Sequence, residues 1–417
     1  MQYSTTNTYT MKREILNFSS KLSSGLSIPS RRFCADMLYG LLAGGSCLLT
    51  DIADQLHEKT LKINTVDRLS RHLAEGIPTS VRHNYYRLIR SMIPSEPVVF
   101  IDDSDVVKPE GYHFEALGYV RDGSASTANK SVYSKGYHVT EACVLNRSRH
   151  PVSLFSEIHS SAEKNFTSIN TVTFSAIDSA VRLLGKATFA MDRGYDDNKV
   201  FHKLFEMEQD FVIRLTAKRK VFYHNKWIPV TELCKRRKGK VKLPLFYRGE
   251  AHDAYLSHIK VRITAAQKDI NLVLVYGLTE HPMMLATNKT ICSKKDVIAV
   301  AQTYFSRWRI EEYFRAKKQI FQFENFRVRK LQAINALNFF ITASMTFLAH
   351  MTDKSDTNAL KVATIKHAAP IRQQVLFLYY RLAKGISGIL SYAKEGVRLW
   401  FKPKRQHYKQ LTLRLIC

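Results

Sequence analysis

The sequence predicts a mixed α/β protein with helical ends, on three observations. Residues 1 to about 95 carry apolar side chains at helical spacing, the chain from Pro97 alternates strand-like and helix-like runs, and residues 217 to about 290 hold consecutive strand patterns. A chain of 417 residues, 45% of them hydrophobic, can bury a substantial core and divide into several domains. Its 63 Lys and Arg against 36 Asp and Glu leave a formal charge of +27, a surplus that attracts polyanions and makes nucleic acid the first partner to consider.

In the first 95 residues, RRFCADMLYGLLAGG is followed by SCLLTDIADQLHEKTLKINTVDRLSRHLAEG. Thr50 is placed to cap a short helix carrying Ile52, Ala53 and Leu56. After a turn, a second helix would bury Val66, Leu69 and Leu73 and hold Arg68, Arg71 and His72 outside. That pattern resembles a helix-turn-helix and makes Arg68 and Arg71 candidate DNA contacts. From Pro97, PVVFID, GYHVTEACVLN and HPVSLFSEIH read as strands, NTVTFSAIDSAVRLLG as a helix, KATFAMD as a strand, DDNKVFHKLFEM as a helix and DFVIRLTA as a strand. Three strands, a helix, a strand, a helix and a strand is the order expected of an RNase H-like α/β core.

Residues 217–292 interrupt that order with AKRKVFYHNKWIPV, the charge run KRRKGKVK and the strands IKVRITAA, INLVLVYGLT and HPMMLAT, which together predict an antiparallel β insertion. Within the charge run, Lys235, Arg236 and Arg237 are candidates for a phosphate-contacting loop. The chain then returns to helices and ends in the basic and aromatic tail LWFKPKRQHYK. The segment ALNFFITASMTFLAHM (336–351) is too short and too dotted with polar residues to span a bilayer and predicts a core helix. The N-terminal MQYSTTNTYTMKRE lacks the apolar stretch of a signal peptide. Cys34, Cys47, Cys143, Cys234, Cys292 and Cys417 show no CxxC pair or zinc-ligand spacing and read as reduced, mostly buried thiols of a cytoplasmic protein.

The chemistry concentrates in three places. Ser293 and Asp296 have capping-box spacing, and a helix started there can run through about Lys318 without Gly or Pro. On such a helix Tyr304, Arg307, Glu311 and Lys318 fall within a sector of roughly 60°, beside an apolar stripe of Ile310, Phe314 and Phe321. Asp102 follows the apolar run of VVFIDDSD, and Asp192 ends the apolar run of KATFAMD. A carboxylate at the end of a buried strand needs a partner, and a divalent cation is one that two or three such acids can share. With Glu311 they suggest a two-metal site acting on a phosphodiester.

Tyr, two residues, Arg, three residues, Glu, six residues, Lys, as carried by YFSRWRIEEYFRAKK, resembles the signature of bacterial insertion-sequence DDE transposases of the insertion-sequence-four group. IDDSD also resembles their first acidic motif, and the likeness covers roughly residues 98–325. The resemblance implies that Asp102, Asp192 and Glu311 are the catalytic, metal-binding triad for two Mg²⁺ ions, with Mn²⁺ as a substitute. It implies that Tyr304, Arg307 and Lys318 contact phosphates at the element's end. Asp103 and Asp105 crowd the first acid and leave the choice between Asp102 and Asp103 open, with Asp102 preferred for its spacing to Ser104; Glu312 is the lesser neighbour of Glu311.

The implied partners are double-stranded DNA, as terminal inverted repeats and target, and a second copy of the chain in a synaptic complex. The implied setting is the bacterial cytoplasm and nucleoid. The expected division is a helical DNA-binding domain (1–95), the core's first part (96–216), the insertion (217–292), the catalytic helix (293–330) and a helical C-terminal region (331–417). Two rival functions share these features: a DNA-binding repressor descended from a transposase, and a general RNase H-like nuclease.

Overall fold

The structure, a computed structural model, describes residues 2–123, 125–127, 130–247, 250–368 and 377–401. Cys417 and most of the basic-aromatic tail, from residue 402 on, lie outside the described residues. Five helices come first: α1 (Gln2–Leu22), α2 (Ile28–Gly44), α3 (Leu49–Leu56), α4 (Lys62–Ala74) and α5 (Thr79–Arg90). Strands β1 (Val98–Val107), β2 (Gly118–Arg121), β3 (Tyr133–Leu145) and β4 (Pro151–His159) follow, then α6 (Ile169–Leu184), β5 (Thr188–Met191), α7 (Asn198–Glu206) and β6 (Asp210–Arg214). The next block comprises β7 (Lys220–Tyr223), β8 (Lys226–Pro229), α8 (Val230–Arg236), β9 (Val241–Tyr247), β10 (Glu250–Ile263), β11 (Lys268–Tyr276) and β12 (Met283–Thr287). The chain closes with α9 (Lys294–Phe305), α10 (Trp308–Ile320), α11 (Leu331–Asp353), α12 (Ala359–Ala368) and α13 (Tyr379–Leu390).

One mixed sheet of twelve strands organises the molecule. β1 pairs antiparallel with β3, β3 pairs antiparallel with β4, and on its other edge β1 runs parallel to β5, which runs parallel to β6. The spatial order β4-β3-β1-β5-β6 thus arises with α6 and α7 as the crossovers that parallel pairing requires. The segment expected as an insertion is antiparallel within itself, and it extends the same sheet, because β12 returns to pair with β6. The hairpin of β7 and β8 turns on His224 and Asn225, both at positive φ (46° and 58°), the backbone that a tight two-residue hairpin needs.

Local caps account for several element ends. Gly45 takes a left-handed conformation (φ 61°) and its N–H donates to Leu41 O at 2.9 Å, ending α2. The capping box of Ser293 and Asp296 starts α9 as expected. Thr50 is not the cap of α3: the helix begins at Leu49, after Cys47 N–H has bonded Phe321 O at 2.8 Å and drawn the chain in early. Ile52, Ala53 and Leu56 are buried, as are Leu69 and Leu73 of α4, while Val66 is half-buried.

The helix expected from Ser293 through Lys318 is broken. Ser306 Oγ donates to Thr303 O at 2.7 Å, and three i to i−3 backbone bonds (Arg307 to Tyr304, Arg309 to Ser306, Ile310 to Arg307) tighten the joint. The break lets α9 pack on β5, β6 and the strands from β9 to β12, while α10 packs on β1 and β4. Two apolar clusters result. Val297, Val300, Ala301 and Tyr304 of α9 sit with Val212, Leu256, Val273 and Leu285, whereas Ile310, Tyr313 and Phe314 of α10 join the larger core with Phe100, Phe189 and Phe211.

Helix α11 carries the segment 336–351 and is buried along nearly its whole length, against β4, α2 and α4. Among the described residues it alone is by itself long and apolar enough to cross a membrane, and its burial makes it the spine of the helical region. Tyr85 of α5 ties that region to the sheet, its hydroxyl donating to Ser153 O and lying 2.8 Å from Thr346 Oγ1.

His150, next to the start of β4, is buried with Nδ1 donating to Ser148 O (2.8 Å) and Nε2 accepting from Leu378 N (3.0 Å), which fixes the neutral ring. Burial, aided by Arg309 and Lys361, pushes its pKa down to about 4. The unfolded imidazole takes up a proton near pH 6.5, so this stability is held above that pH and lost as pH falls toward 4. We expect the urea midpoint of the wild-type chain to fall more between pH 7 and pH 5 than that of His150→Gln, by on the order of 2 kcal/mol in unfolding free energy; equal slopes would contradict this.

Candidate active site

The parallel register of β1 and β5 brings two acids side by side. Val98 to Ile101 pair with Thr188 to Met191, so Asp102 and Asp192 are each the next residue after the last pair, Ile101 and Met191. Neighbouring strands lie about 4.8 Å apart. Both acids therefore lie where the parallel pairing of β1 and β5 ends, Asp192 just past the last residue of β5 and Asp102 midway along β1. β5 stops there and turns into a 3₁₀ turn, Arg193–Tyr195, whereas β1 continues beside β3 with Asp102 opposite Glu141.

The pleat separates Asp102 from Asp103, because successive strand residues point to opposite faces. Asp103 accepts from Thr140 Oγ1 and from Tyr195 OH (2.9 Å), so both of its oxygens are engaged away from α10. Asp102 faces α10 and accepts from Arg307 Nη1 at 2.6 Å. Burial pushes the Asp102 carboxyl up to about 7 against the pull of Arg307, and it raises that of Asp103 as well.

Arg307 stands at the joint between α9 and α10 and spans two acids. Its Nη1 meets Asp102, and its Nη2 donates to Glu311 Oε1 at 2.6 Å, one helical turn further on. Its side chain is 11% exposed; burial pulls its pKa down, but Asp102, Tyr304, Glu311 and Asp192 outweigh that and raise it. The Arg307 Nε is buried without a partner among the described residues. Tyr304, at the end of α9, donates its hydroxyl to Asp192 Oδ1 at 3.0 Å, and Arg214 Nη1 lies 3.9 Å from the same oxygen. Burial, with the Asp192 charge, raises the Tyr304 phenol to about 12, which keeps it a donor. Asp102, Asp192 and Glu311 thus converge through two intermediaries, Arg307 and Tyr304.

Other expected residues are placed differently. Lys318 Nζ is 3.1 Å from Glu324 and 3.8 Å from Asp105, outside the group of three acids. Glu312 turns along the helix to Arg315. Arg68 is not on the outward face: its guanidinium reaches Asp36 (2.8 Å) and Glu58 (2.6 Å), drawn inward by two acids that α2 and the end of α3 present to it. His72 stacks on Phe33 at 4.7 Å. Arg71 remains exposed on α4, and Lys235, Arg236 and Arg237 are exposed where α8 passes into the loop before β9, with Arg236 paired to Glu232.

The residues from 94 to 347 match the family model of the transposase DDE domain. The chain belongs to that family. The match opens just ahead of β1 and closes within α11, so it encloses both acid-bearing strands and both helices of the joint. Comparison with curated proteins gives no match. DDE transposases act on DNA and generally use divalent metal ions. The donor types suit such ions, since Asp102, Asp192 and Glu311 offer only carboxylate oxygens, the ligands of hard cations. Among the described residues, however, no three His, Cys, Asp or Glu side chains are grouped closely enough to hold an ion together. Arg307 engages the same Asp102 and Glu311 carboxylates, so an ion held by these two acids would have to displace that bridge.

The contact that seats α10 is absent from the expectations drawn from sequence. Lys317 and Glu141 are both fully buried and ion-paired; Lys317 Nζ also lies 3.1 Å from Ser156 Oγ and 3.1 Å from Thr342 Oγ1, while Glu141 accepts from Ser153 (2.8 Å) and Ser156 (2.7 Å). The usable signal was a glutamate inside the otherwise apolar GYHVTEACVL strand. Glu141 is the register partner of Asp102, so the pair fixes α10 over that acid. Removing one member of such a pair leaves an uncompensated buried charge. Lys317→Met is expected to cost roughly 3–5 kcal/mol in chemical denaturation, with much of the loss recovered in Lys317→Met/Glu141→Leu; a single variant as stable as wild type would refute the seating role.

Proposed function

We propose that this chain is a cut-and-paste transposase of the insertion-sequence-four group, which hydrolyses DNA at the ends of an insertion sequence and joins the freed 3′ ends to target DNA. The observation that carries the reading is the convergence on Arg307: it joins Asp102, in β1 just past its pairing with β5, to Glu311 of α10, with Asp192 held alongside by register and by Tyr304. The strand order β4-β3-β1-β5-β6 supports an RNase H-like core, and the antiparallel strands from β7 to β12 fit an insertion between that core and its last helices.

Asp102, Asp192 and Glu311 would hold the divalent ions, magnesium or manganese. When bound, these supply charge neutralisation for the phosphodiester, an activated nucleophile and a stabilised leaving oxygen. The protein's own groups do the positioning. Tyr304 offers a phenol that stays protonated, and Arg307 offers a guanidinium whose Nε has no partner among the described residues and whose two arms could grip a phosphate in place of the carboxylates. Lys318, at the far end of α10, adds a second cationic side chain beside Asp105, where the scissile strand would leave the acids. Water attacks first to free the 3′-hydroxyl, and that hydroxyl then attacks a target phosphate, so bonds exchange in line with no covalent link to the protein.

The exposed Arg71 on α4 and the loop cations Lys235, Arg236 and Arg237 supply further phosphate contacts away from the acids, and two copies of the chain would hold two element ends. Arg68 serves the packing of α4 in this account. Mg²⁺-dependent excision from a supercoiled plasmid tests the reading. Asp192→Asn is expected to abolish cleavage and leave DNA binding nearly intact, with affinity falling by a log–log salt slope of about 0.9 per phosphate neutralised. Normal cutting by Asp192→Asn would overturn the assignment, and cutting without regard to element ends would point to a general nuclease.

A further inference from the structure

Beyond the acids, the same sheet carries an aromatic and cationic face that the proposed chemistry does not use. β2 pairs antiparallel with the start of β3, Tyr119 opposite Lys135 and Arg121 opposite Tyr133, so these four side chains share one face. Tyr119 is 65% exposed and Tyr133 66%, and neither ring packs on another aromatic ring among the described residues. Tyr112, 73% exposed, extends the face, with Lys135 Nζ 4.7 Å from its ring centroid. The opposite face is Gly118, Val120 and Gly136, all buried; a Cβ on Gly136 would come within 2.5 Å of Val106 O, and one on Gly118 within 2.6 Å of Ser160 Oγ. The two glycines let the hairpin lie flat against its neighbours, so the tyrosines stand on a rigid base.

The face lies on the same side of the sheet as the site, with the buried Tyr137 and Val139 between them along β3. Alternation along β3 puts Tyr133, Lys135 and Glu141 on one side, and Glu141 pairs with Asp102, so Lys135 lies on the Asp102 side of the sheet, about 20 Å along the strand at 3.4 Å per residue. Exposed tyrosine rings beside cations are the chemistry that binds unpaired nucleic acid, in which bases stack on rings while Arg and Lys meet the backbone. A duplex keeps its base faces covered and could use only the cations.

We propose that the face formed by Tyr112, Tyr119, Arg121, Tyr133 and Lys135 binds an unpaired DNA strand by base stacking. This deepens the transposase reading and rests on it for the choice of DNA: once a strand is cut near Asp102, its freed end can run along this face. The net charge of +27 favours such an occupant over a second copy of the chain.

The test is fluorescence anisotropy of the full chain with a labelled single strand of about 20 thymidines and with a duplex of the same length. Tyr119→Ala/Tyr133→Ala is expected to lose at least ~10-fold in single-strand affinity and less than ~2-fold for duplex, while Tyr119→Phe/Tyr133→Phe, which keeps the rings, stays near wild type. Should the double alanine variant fail to fold, the single variants Tyr119→Ala and Tyr133→Ala carry the same comparison. Unchanged single-strand binding in the alanine variants would overturn the proposal, as would equal losses on duplex or in the phenylalanine variant. A wild-type dimer that the alanine changes convert to monomer without loss of DNA affinity would assign the face to a second copy and overturn it too. Plasmid excision is read separately: its absence would sink the transposase reading, while the stacking result would stand or fall on binding alone.

Discussion

A lysine and a glutamate removed from water hold the site together. Lys317 and Glu141 come from helix and strand 176 residues apart, and each finds its remaining hydrogen-bond partners among Ser153, Ser156 and Thr342. A buried pair of this kind adds little net stability compared with apolar packing, but it tolerates few alternative placements, because a shift of α10 would strand a charge. The same strand position sets Glu141 beside Asp102. The geometry of Arg307 and Glu311 over Asp102 therefore depends on a contact that lies beneath the site and outside it.

The broken helix is the second constraint. A straight helix would carry Tyr304, Arg307, Glu311 and Lys318 along one line, whereas the joint at Ser306 and Arg307 divides them between two halves of the sheet. Tyr304 then serves Asp192, at the end of β5, and Arg307 serves Asp102, in the middle of β1. The joint converts a linear motif into a convergent one. The cations proposed to meet DNA on α4 and after α8 lie away from the acids, while those nearest the acids, Arg307 and Lys318, are held in ion pairs of the kind that phosphate can replace.

Much of this was legible in the sequence where the signal was local. β1, β3, β4, β5 and β6 announced themselves as apolar runs ending in turns or acids, and the Ser293–Asp296 box marked the start of α9 correctly. The short edge strand β2 and the largely exposed, proline-containing β9 were missed, since neither offers a long buried apolar run. The helix break carried neither Gly nor Pro and so left no mark. Asp102 and Asp103 could not be told apart by position, because only the pleat and the register with β5 decide which one faces α10. Arg68 looked free because Asp36 lies 32 residues away, and no pattern in the helix predicts a partner at that distance.

The central claim is that Asp102, Asp192 and Glu311 share divalent ions while Asp103 does not. Titration of Mn²⁺ into the full chain bound to a DNA duplex, followed by the electron paramagnetic resonance of the free ion, reads this without any turnover. The account predicts Mn²⁺ uptake by the wild-type chain that is strongly weakened in Asp102→Asn and in Asp192→Asn and preserved in a folded Asp103→Asn. Uptake unaffected by Asp102→Asn, or abolished only by Asp103→Asn, would contradict it.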